Sequence, residues 1–399
     1  MTQWRTARLE DVAQVLGGGT PSRTEQSYFG GGIAWATPTD ITKLDRLYIS
    51  QTKETVSEEG LRNSSTKLMP AGAVLLTSRA TIGFTAISTV PICTNQGFIN
   101  FICGPDLVPE YLAYWLRTQR EKMIQHAGGT TFKEIARGTL RKFELPVPPL
   151  PEQRRIVDLL SRAEGIVRLR REAEKKAAEL IPALFLDMFG DPATNPKEWP
   201  MATLGDVVEE FRYGTSQKSG PTGLPVLRIP NVIGNRLEPA EMKFVAVSEA
   251  EASRLRLRDG DMLFVRTNGN PDYVGRSAVF DSKVMKRAGF DGDNSLYASY
   301  LIRARVRATI IPIFLQTYLS SIEGRRKLKE RCRTSAGQFN INIDGLSSIP
   351  VPLPTKERQI QFSEQVRGVW GLLEQNVAAT SKANAAFDAL LAQAFSTTT

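Results

Sequence analysis

Histidine and cysteine are scarce in this chain of 399 residues. His126 is the single histidine, and the three cysteines, Cys93, Cys103 and Cys332, show no Cys-x-x-Cys spacing. General acid–base catalysis and metal binding draw mainly on such side chains, and a lone histidine without partners is typical of a structural residue. The sequence therefore predicts no catalytic residues and no metal site, with free thiols in a reducing compartment.

Long apolar runs and nucleotide-binding motifs are absent as well. No run approaches the roughly 18 apolar residues of a membrane-spanning helix, and the first residues, MTQWRTARLEDV, lack the apolar core of a signal peptide. Neither GxxxxGKS nor GxxxxGKT occurs, which argues against ATP hydrolysis by this chain. We predict a cytoplasmic protein with no membrane partner and no cofactor of its own.

Positive charge is in excess. The formal net charge is +9 and the pI is about 9.4, while a hydrophobic content of 41% and a mean hydropathy of −0.22 are typical of a globular protein. The surplus of lysine and arginine lies mainly in residues 1–150 and 191–354. A basic balance of this kind points to a polyanion such as nucleic acid as a partner.

Residues 151–190 have the pattern of one long helix. Apolar residues recur at spacings of three and four along PEQRRIVDLLSRAEGIVRLRREAEKKAAELIPALFLDMFG, and charged residues fill the other faces. Pro151 suits the first turn of a helix and Gly190 suits its end. Pro182 lies inside the pattern and is expected to kink or interrupt the last turns.

Residues 355–399 carry a second pattern of this kind. Its apolar stripe alternates steps of four and three from Phe362 to Ala394, with Asn376 at one seam position. Such a seam requires a partner helix, and an isolated polar seam residue commonly fixes the register. We expect the two long helices to pack on each other, with these residues at the packing surface: Ile156, Leu160, Ile166, Val366, Leu373 and Phe387.

The two helices belong to an internal repeat. WRTARLEDV at 4–12 is echoed by WPMATLGDV at 199–207, and LPVPPLPEQRRI at 145–156 is echoed by IPVPLPTKERQI at 349–360. The chain thus divides into a first lobe (1–150), a first helix (151–190), a second lobe (191–354) and a second helix (355–399). A two-fold copy relates equivalent elements antiparallel, so we expect an antiparallel helix pair with the lobes held apart at its opposite ends.

Each lobe combines short β-like runs with a helical stretch late in its sequence. FINFIC at 98–103 and SYLIRARV at 299–306 are typical of strands between turn residues, whereas VPEYLAYWLRTQREKMIQ at 108–125 is typical of a helix. The predicted fold class is α+β, with two mixed α/β lobes in a tandem pseudo-two-fold repeat, separated by two long antiparallel helices.

Polar clusters flanked by turn residues recur at corresponding places in both lobes. Proteins that read DNA use Arg, Lys, Asn, Gln, Ser and Thr side chains, some on phosphates and some on base edges. Any one such cluster alone fits a solvent-facing loop better than a DNA contact, so the recurrence is the stronger observation. The candidate DNA-binding residues are Thr20, Ser22, Arg23, Thr37, Asp40, Ser78, Arg79, Thr81, Asn95, Gln96, Thr131, Lys133, Thr215, Ser216, Lys218, Asn231, Arg266, Asn268, Asn270, Arg276, Gln338 and Asn340. The run Arg325-Arg326-Lys327 is either a further phosphate contact or a solvated helix face.

Several motifs follow one another through the first lobe and into the first helix. They are WRTARLEDVAQVLGGGTPSR, IAWATPTDI, LLTSRATIG, TNQGF, GGTTFKEI and LPVPPLPEQRRIVDLL, and the helix then closes in FGDP. This order resembles the specificity subunit of a Type I restriction–modification system. The resemblance covers essentially the whole chain, and it is stronger in the first lobe because GTSQK and TKERQI depart from the pattern in the second.

The resemblance implies a non-catalytic subunit with two target-recognition domains. Each domain would read one half of a bipartite site in double-stranded DNA, and the helices would set the gap. It also implies docking of two methyltransferase subunits, with restriction (translocase) subunits joining that core. S-adenosylmethionine, ATP and magnesium would then be bound by the partner subunits.

Two other interpretations remain open. A coiled-coil scaffold without sequence-specific DNA contact would also explain the helices, although the basic lobes argue against it. A methyltransferase or nuclease acting alone would need cofactor-binding motifs that the sequence lacks. Salt dependence separates the specificity subunit from the scaffold, because specific DNA binding weakens steeply with salt yet keeps its preference for one sequence.

Overall fold

The chain forms two compact units. The computed structural model describes residues 4–129, 133–335 and 337–396. One unit is built around residues 1–173 and 376–399 and the other around residues 174–375, so each long helix contributes one half to each unit. Within the described ranges, none of the helices has both the length and the apolar character needed to cross a bilayer. Over the same ranges, no group of three His, Cys, Asp or Glu residues is placed to hold a metal ion.

The first lobe alternates short strands with short helices. A 3-10 turn covers Gln26–Tyr28. The strands are β1 (Arg5–Arg8), β2 (Ala13–Gly17), β3 (Phe29–Ala36), β4 (Tyr48–Ile49), β5 (Glu54–Val56), β6 (Val74–Thr77), β7 (Thr85–Ser88), β8 (Ile92–Thr94), β9 (Phe98–Cys103) and β10 (Glu144–Val147). The helices are α1 (Leu9–Val12), α2 (Pro38–Thr42), α3 (Glu58–Arg62), α4 (Pro109–Thr118), α5 (Arg120–Gln125) and α6 (Arg137–Arg141).

A five-stranded sheet organises this lobe, in the order β2-β9-β6-β7-β4. Its central strand β6 is buried on both faces, so successive side chains enter different cores. Val74 and Leu76 pack with helix α4, whereas Leu75 packs with the second sheet, β5-β3-β8. Strands β1 and β10 pair antiparallel and bring the two ends of the lobe together.

The first long helix, α7, spans Leu150–Phe189 without a break. Pro182 does not interrupt it, so this part of the expectation is wrong. Proline removes one backbone hydrogen bond, and the turns beyond it are held by the packing of Phe185, Met188 and Phe189 into the core of the second lobe. Gly190 ends the helix as expected, with a φ of 81° and its N–H donating to the Leu186 carbonyl at 2.8 Å.

The second lobe repeats the architecture of the first. A 3-10 turn covers Ile229–Asn231, and the second long helix, α14 (Lys356–Phe395), follows the lobe. The strands are β11 (Met201–Thr203), β12 (Val208–Tyr213), β13 (Leu224–Leu227), β14 (Lys243–Val245), β15 (Met262–Val265), β16 (Thr267–Asn268), β17 (Ser277–Val279), β18 (Leu296–Tyr297), β19 (Leu301–Val306), β20 (Arg333–Ser335), β21 (Gln338–Asn340) and β22 (Pro350–Pro352). The helices are α8 (Leu204–Val207), α9 (Glu249–Leu255), α10 (Ser282–Arg287), α11 (Pro312–Ser320), α12 (Ile322–Glu330) and α13 (Ile343–Ser347).

Strand order shows that the repeat is structural as well as sequential. The main sheet β12-β19-β15-β17 corresponds to β2-β9-β6-β7, and β14-β13-β18 corresponds to β5-β3-β8. In both copies the second sheet joins an antiparallel pair to a parallel pair. Strand β15 is buried on both faces like β6, since Phe264 enters one core and Leu263 enters another. The mixed α/β fold and the tandem repeat are therefore confirmed.

The helix halves run antiparallel in each unit. In the first, Asn376 lies beside Arg170, whereas Ile156 and Leu160 share a core with Phe387 and the residues that follow it. The Asn376 Nδ2 donates to the Arg170 carbonyl at 3.0 Å, which gives this polar seam residue a partner across the pair. The second unit shows the same direction, because α7 and α14 meet there through the residues Phe185, Phe189, Phe362 and, further along, Ile181 and Trp370.

One residue assigned to the helix seam is placed differently. Ile166 is 52% exposed, whereas its neighbour Val167 is 6% exposed. Consecutive helical residues point about 100° apart, and Val167 lies seven residues after Leu160 on the same stripe. Of the other seam residues, Ile156, Leu160 and Val366 are buried in the lobe cores, and Leu373 and Phe387 are half-buried.

A buried glutamine at the start of each long helix corrects the alignment of the repeat. Gln153 accepts a hydrogen bond from the Val108 N–H at 2.8 Å, and Gln359 accepts one from the Ile311 N–H at 2.8 Å. Both amides also donate to a carbonyl of the preceding hinge, that of Pro148 or Pro354. Gln153 therefore corresponds to Gln359. The alignment that pairs PEQRRI with TKERQI is wrong by two residues at this point.

Candidate nucleic-acid interface

The topology of the first lobe brings its candidate residues to one edge. Strand β2 ends where β9 begins, with Gly17 opposite Ile99, and β6 ends there too, with Thr77 opposite Phe98. The parallel strands β3 and β8 also finish at this edge. The loops that leave these strands form what we call the first loop edge: residues 17–23, 37–40, 78–81, 94–97 and 133.

Backbone hydrogen bonds join the loops of the first loop edge to one another. The Gly19 N–H donates to the Thr94 carbonyl at 2.9 Å, and the Ser78 N–H donates to the Gly97 carbonyl at 2.8 Å. The Ala80 N–H reaches the Lys133 carbonyl at 3.1 Å. Segments that are far apart in sequence thus form one connected surface.

Close approach between chain segments explains two glycines of the run at 17–19, Gly18 and Gly19. A Cβ added at Gly18 would lie 1.9 Å from the carbonyl oxygen of Asn95, and one at Gly19 would lie 2.5 Å from the Thr66 nitrogen. A side chain at Gly18 would push the loop after β2 away from the loop before β9, and one at Gly19 would push it away from residues 65–66. These two glycines are therefore needed to assemble the edge.

Arginine 23 is held in a defined position at this edge. Its guanidinium lies 4.7 Å from the centre of the Phe29 ring and 5.0 Å from that of Trp35, and it forms an ion pair with Glu54. Trp35 is itself fixed, because its indole N–H donates to the Gly19 carbonyl at 3.1 Å. An exposed guanidinium supported by aromatic rings suits contact with a phosphate or a base edge.

Of the other ten candidate residues that lie in the first loop edge, five are exposed. Thr20 donates to the Gln96 side chain, and Arg79 forms an ion pair with Glu134 at 3.7 Å. Asn95 is half-buried and accepts a hydrogen bond from the Gly97 N–H. Thr131 lies outside the described residues. The exposed candidate side chains are Ser22, Arg23, Arg79, Thr81, Gln96 and Lys133.

The second lobe builds an equivalent edge. The Thr215 N–H donates to the Tyr297 carbonyl at 2.9 Å, the Ala298 N–H to the Leu227 carbonyl at 2.9 Å, and the Arg266 N–H to the Tyr300 carbonyl at 2.9 Å. These bonds join the segments that follow β12, β13 and β15 and precede β19. We call residues 213–218, 228–231, 266–270, 298–300 and 333–340, apart from 336, the second loop edge. Of its candidate residues, Ser216, Lys218, Asn270 and Gln338 are exposed, and Arg266, Asn268 and Asn340 are half-buried.

Three candidate residues cannot touch DNA through their side chains, because they are buried. Ser78 is 1% exposed, Thr215 is 3% exposed and Asn231 is 0% exposed. The Asn231 amide donates to the carbonyls of Glu238 and Ala240 at 2.9 Å each, so it folds its own loop. Thr215 donates to a side-chain oxygen of Glu251 at 2.7 Å. These buried residues stabilise the loops of the two edges.

Three further candidates are occupied by local structure. Thr37 and Asp40 form a capping box at the start of α2, in which the Asp40 carboxylate accepts from the Thr37 N–H at 2.8 Å. The Arg276 guanidinium donates to the carbonyls of Asp272 and Ile233, at 2.9 and 3.1 Å. Thr37 and Asp40 lie at the first loop edge, whereas Arg276 lies outside the second loop edge as defined above. The polar atoms of all three already stabilise turns.

The basic run of α12 behaves mainly as a helix face with its own partners. Arg326 pairs with Glu323 and Glu330, and Lys329 pairs with Asp272. The Lys329 ammonium holds the pKa of the Asp272 carboxyl below its usual range. Arg325 is directed inward and donates to the Val274 carbonyl at 2.7 Å. The solvated-face interpretation therefore fits this run better than the phosphate interpretation.

Two exposed aromatic residues at the second loop edge, Tyr213 and Tyr300, are not among the candidates. Tyr213 ends β12 and lies 4.7 Å below the Arg266 guanidinium, and Tyr300 is 58% exposed just before β19. Each adjoins a polar cluster in sequence, as YGTSQK and ASYLIR, and that adjacency is the signal that identifies them.

Comparison with known proteins shows what this chain is similar to. A family model for the Type I restriction modification DNA specificity domain matches residues 1–179. The MjaIX specificity subunit of Methanocaldococcus jannaschii is 35% identical over 225 residues, which cover 52% of this chain and 52% of that protein. The EcoKI specificity subunit of Escherichia coli is 25% identical over 366 residues, which cover 84% of this chain and 76% of that protein. Residues 1–179 thus match a Type I restriction modification DNA specificity domain, and the chain is similar to Type I specificity subunits.

Solved structures share the fold over the whole chain. The S subunit of the Type I system from M. genitalium superposes with a TM-score of 0.57 at 15% identity, covering 99% of this chain and 97% of that one. A chain from a structure of the type I R-M system gives a TM-score of 0.60 at 19% identity, covering 99% and 98%. At these identities the likeness concerns the fold alone. The match spans about half the length of the MjaIX subunit and about three quarters of the EcoKI subunit.

Proposed function

We propose that this chain is the sequence-reading subunit of a Type I restriction–modification complex. Each lobe reads one half of a bipartite target in double-stranded DNA, the first through the first loop edge and the second through the second. The observation that carries the proposal is the duplication of one edge architecture, with exposed Arg, Lys, Asn, Gln, Ser and Thr side chains at the ends of equivalent strands.

The long helices serve as the spacer and as the docking surface for two methyltransferase subunits. Large apolar side chains remain exposed along them, including Leu169 at 59%, Leu180 at 48%, Leu372 at 61% and Val377 at 56%. Exposed apolar surface on this scale is typical of a protein–protein contact. Restriction subunits join the resulting core, and the partners use S-adenosylmethionine, ATP and magnesium.

Mapping of DNA methylation in cells that make this chain together with its cognate methyltransferase tests the proposal. We expect methylation within a split motif, two short specific blocks around a fixed nonspecific gap. Cells that make the methyltransferase without this chain are the control, and they should show no such motif. A methyltransferase that modifies the same sequence without this chain would refute the proposal.

The spacer role has a separate test. Insertion of four residues at Ala177–Leu180 adds about 6 Å to a helix, the length of roughly two base pairs. We expect the recognised gap to lengthen by one or two base pairs while both blocks stay the same. An unchanged gap in a stable variant would show that the helix does not set it.

A further inference from the structure

A small three-stranded sheet stands out in the second loop edge. Its order is β16-β21-β20, and all its strands pair antiparallel. It is anchored to the lobe where the Ile341 N–H donates to the Arg266 carbonyl at 2.9 Å. Arg266 is in turn held over Tyr213 and donates from Nη1 to the Ser299 carbonyl at 3.4 Å. The ribbon formed by these strands is therefore fixed on the scaffold.

The register divides the ribbon into two faces. Thr267 lies opposite Asn340, and Asn340 lies opposite Arg333, so these three side chains share one face. Gln338 lies two residues from Asn340 on the same strand and joins that face. The neighbouring row contains Phe339, which packs against the core of the lobe.

The outward face of the ribbon thus carries Thr267, Arg333, Gln338 and Asn340. The Thr267 hydroxyl donates to the Gln338 side-chain oxygen at 3.3 Å, which supports their placement side by side. Arg333 and Gln338 are exposed. Among the side chains that the structure describes on this face, none is acidic and none is large and apolar, so none of them repels DNA.

These side chains match the chemistry of base edges. Arginine pairs with the O6 and N7 of guanine, and asparagine and glutamine pair with the N6 and N7 of adenine, each through two hydrogen bonds. A β-ribbon fits the major groove of B-form DNA, where every base pair presents a distinct pattern.

We propose that the outward face of the β16-β21-β20 ribbon is the base-reading element of the second lobe, inserted into the major groove of one half-site. This inference rests on the proposed function and assigns it to a defined set of side chains. Arg333, Gln338 and Asn340 select bases directly, whereas Arg266 and Tyr213 position the ribbon.

Methylation mapping of single variants in the complete complex tests the assignment. We expect Arg333→Ala to relax one position of the block read by the second lobe, with about 5- to 150-fold less discrimination there, the range for one lost bidentate contact. Asn340→Asp should alter a different position of the same block. The block read by the first lobe should stay unchanged in both variants.

Two further variants separate base reading from simpler roles. Arg333→Lys keeps the charge but loses the guanidinium fork, so a base contact should still relax, whereas a phosphate contact would keep the motif intact and overturn the assignment of Arg333. Arg307→Ala is the matched control, because Arg307 is an exposed arginine beyond the far end of β19. It should leave both blocks as they are.

The outcomes also distinguish this inference from the proposed function. If the unaltered chain directs a split motif and every ribbon variant keeps its second block unchanged, the ribbon assignment is wrong and the proposed function stands. If a ribbon variant lowers methylation of all sites equally without relaxing a position, the ribbon does not read bases. If the unaltered chain directs no split motif, the proposed function itself fails.

Discussion

Gln359, the buried glutamine in the first turn of the second long helix, should contribute several kilocalories per mole to the free energy of unfolding. Gln359 is 0% exposed and accepts from the Ile311 N–H at 2.8 Å, at a helix N-terminus whose cap residue has no polar side chain. Its amide donates to the Pro354 carbonyl at 2.8 Å and to the Thr309 carbonyl at 3.4 Å. One side chain therefore connects the hinge, the start of α11 and the start of α14.

Gln359→Leu keeps the size of the side chain and removes all three bonds. Each buried group left unpaired costs about 1–3 kcal/mol, and the long bond to Thr309 contributes least, so we expect a loss of about 2–4 kcal/mol. For a unit of about 200 residues this lowers the unfolding midpoint by roughly 4–16 °C. The assay is thermal and denaturant unfolding of the purified full chain.

Gln361→Leu is the matched control, since Gln361 is exposed on the same helix two residues further on. It should change the free energy of unfolding by no more than about 0.5 kcal/mol. If the two variants unfold within about 0.5 kcal/mol of each other, the glutamine does not connect these elements energetically. Gln153→Leu should reproduce the loss in the first lobe, with exposed Arg154→Leu as its control.

Three other predictions concern stability and reactivity. Val167→Ala should destabilise the chain by about 1–3 kcal/mol in denaturant unfolding, whereas Ile166→Ala should have little effect, because only Val167 is buried. Equal losses for the two would refute this placement. Gly18→Ala should weaken DNA binding and stability by separating the loops, while Gly138→Ala, whose added Cβ meets nothing within 4 Å, should be neutral or stabilising. A harmless Gly18→Ala would contradict the close approach. Burial raises the pKa of the Cys93 thiol to about 11 and that of Cys103 to about 12, from an ordinary value of 9.0, so a thiol reagent at pH 8 should react slowly with both until the chain is denatured. The folded state favours the protonated thiols, so their contribution to stability is complete below pH 9 and declines as pH rises towards 11.

The sequence was sufficient for the helices and for the repeat, because these depend on local patterns. A stripe of three- and four-residue steps and a helix-ending glycine define α7 whatever it packs against. The two-residue shift between PEQRRI and TKERQI was missed because the prolines on either side of the hinge align equally well in both registers. The hydrogen bonds of Gln153 and Gln359 decide between them.

The sequence could not predict which polar residues are buried, and the reason is a different one. Asn231 and Asn268 each occur in a polar cluster after a strand, yet only Asn231 is enclosed, since its amide donates to the carbonyls of residues 238 and 240, later in its own loop. The sequence could not predict the outward face of the ribbon either, because Thr267 lies opposite Asn340 through a pairing between distant segments. Such long-range contacts decide which side chains of a polar cluster are buried in a supporting position and which are exposed.

Exchange of the second lobe tests the central claim most directly. Residues 191–354 would be replaced by the corresponding lobe of another specificity subunit, and the methylated motif of the complex would be mapped before and after the exchange. We expect one block of the motif to change to that of the donor, while the other block stays the same. A motif in which both blocks change, or neither does, would contradict the account that each lobe reads its own half-site.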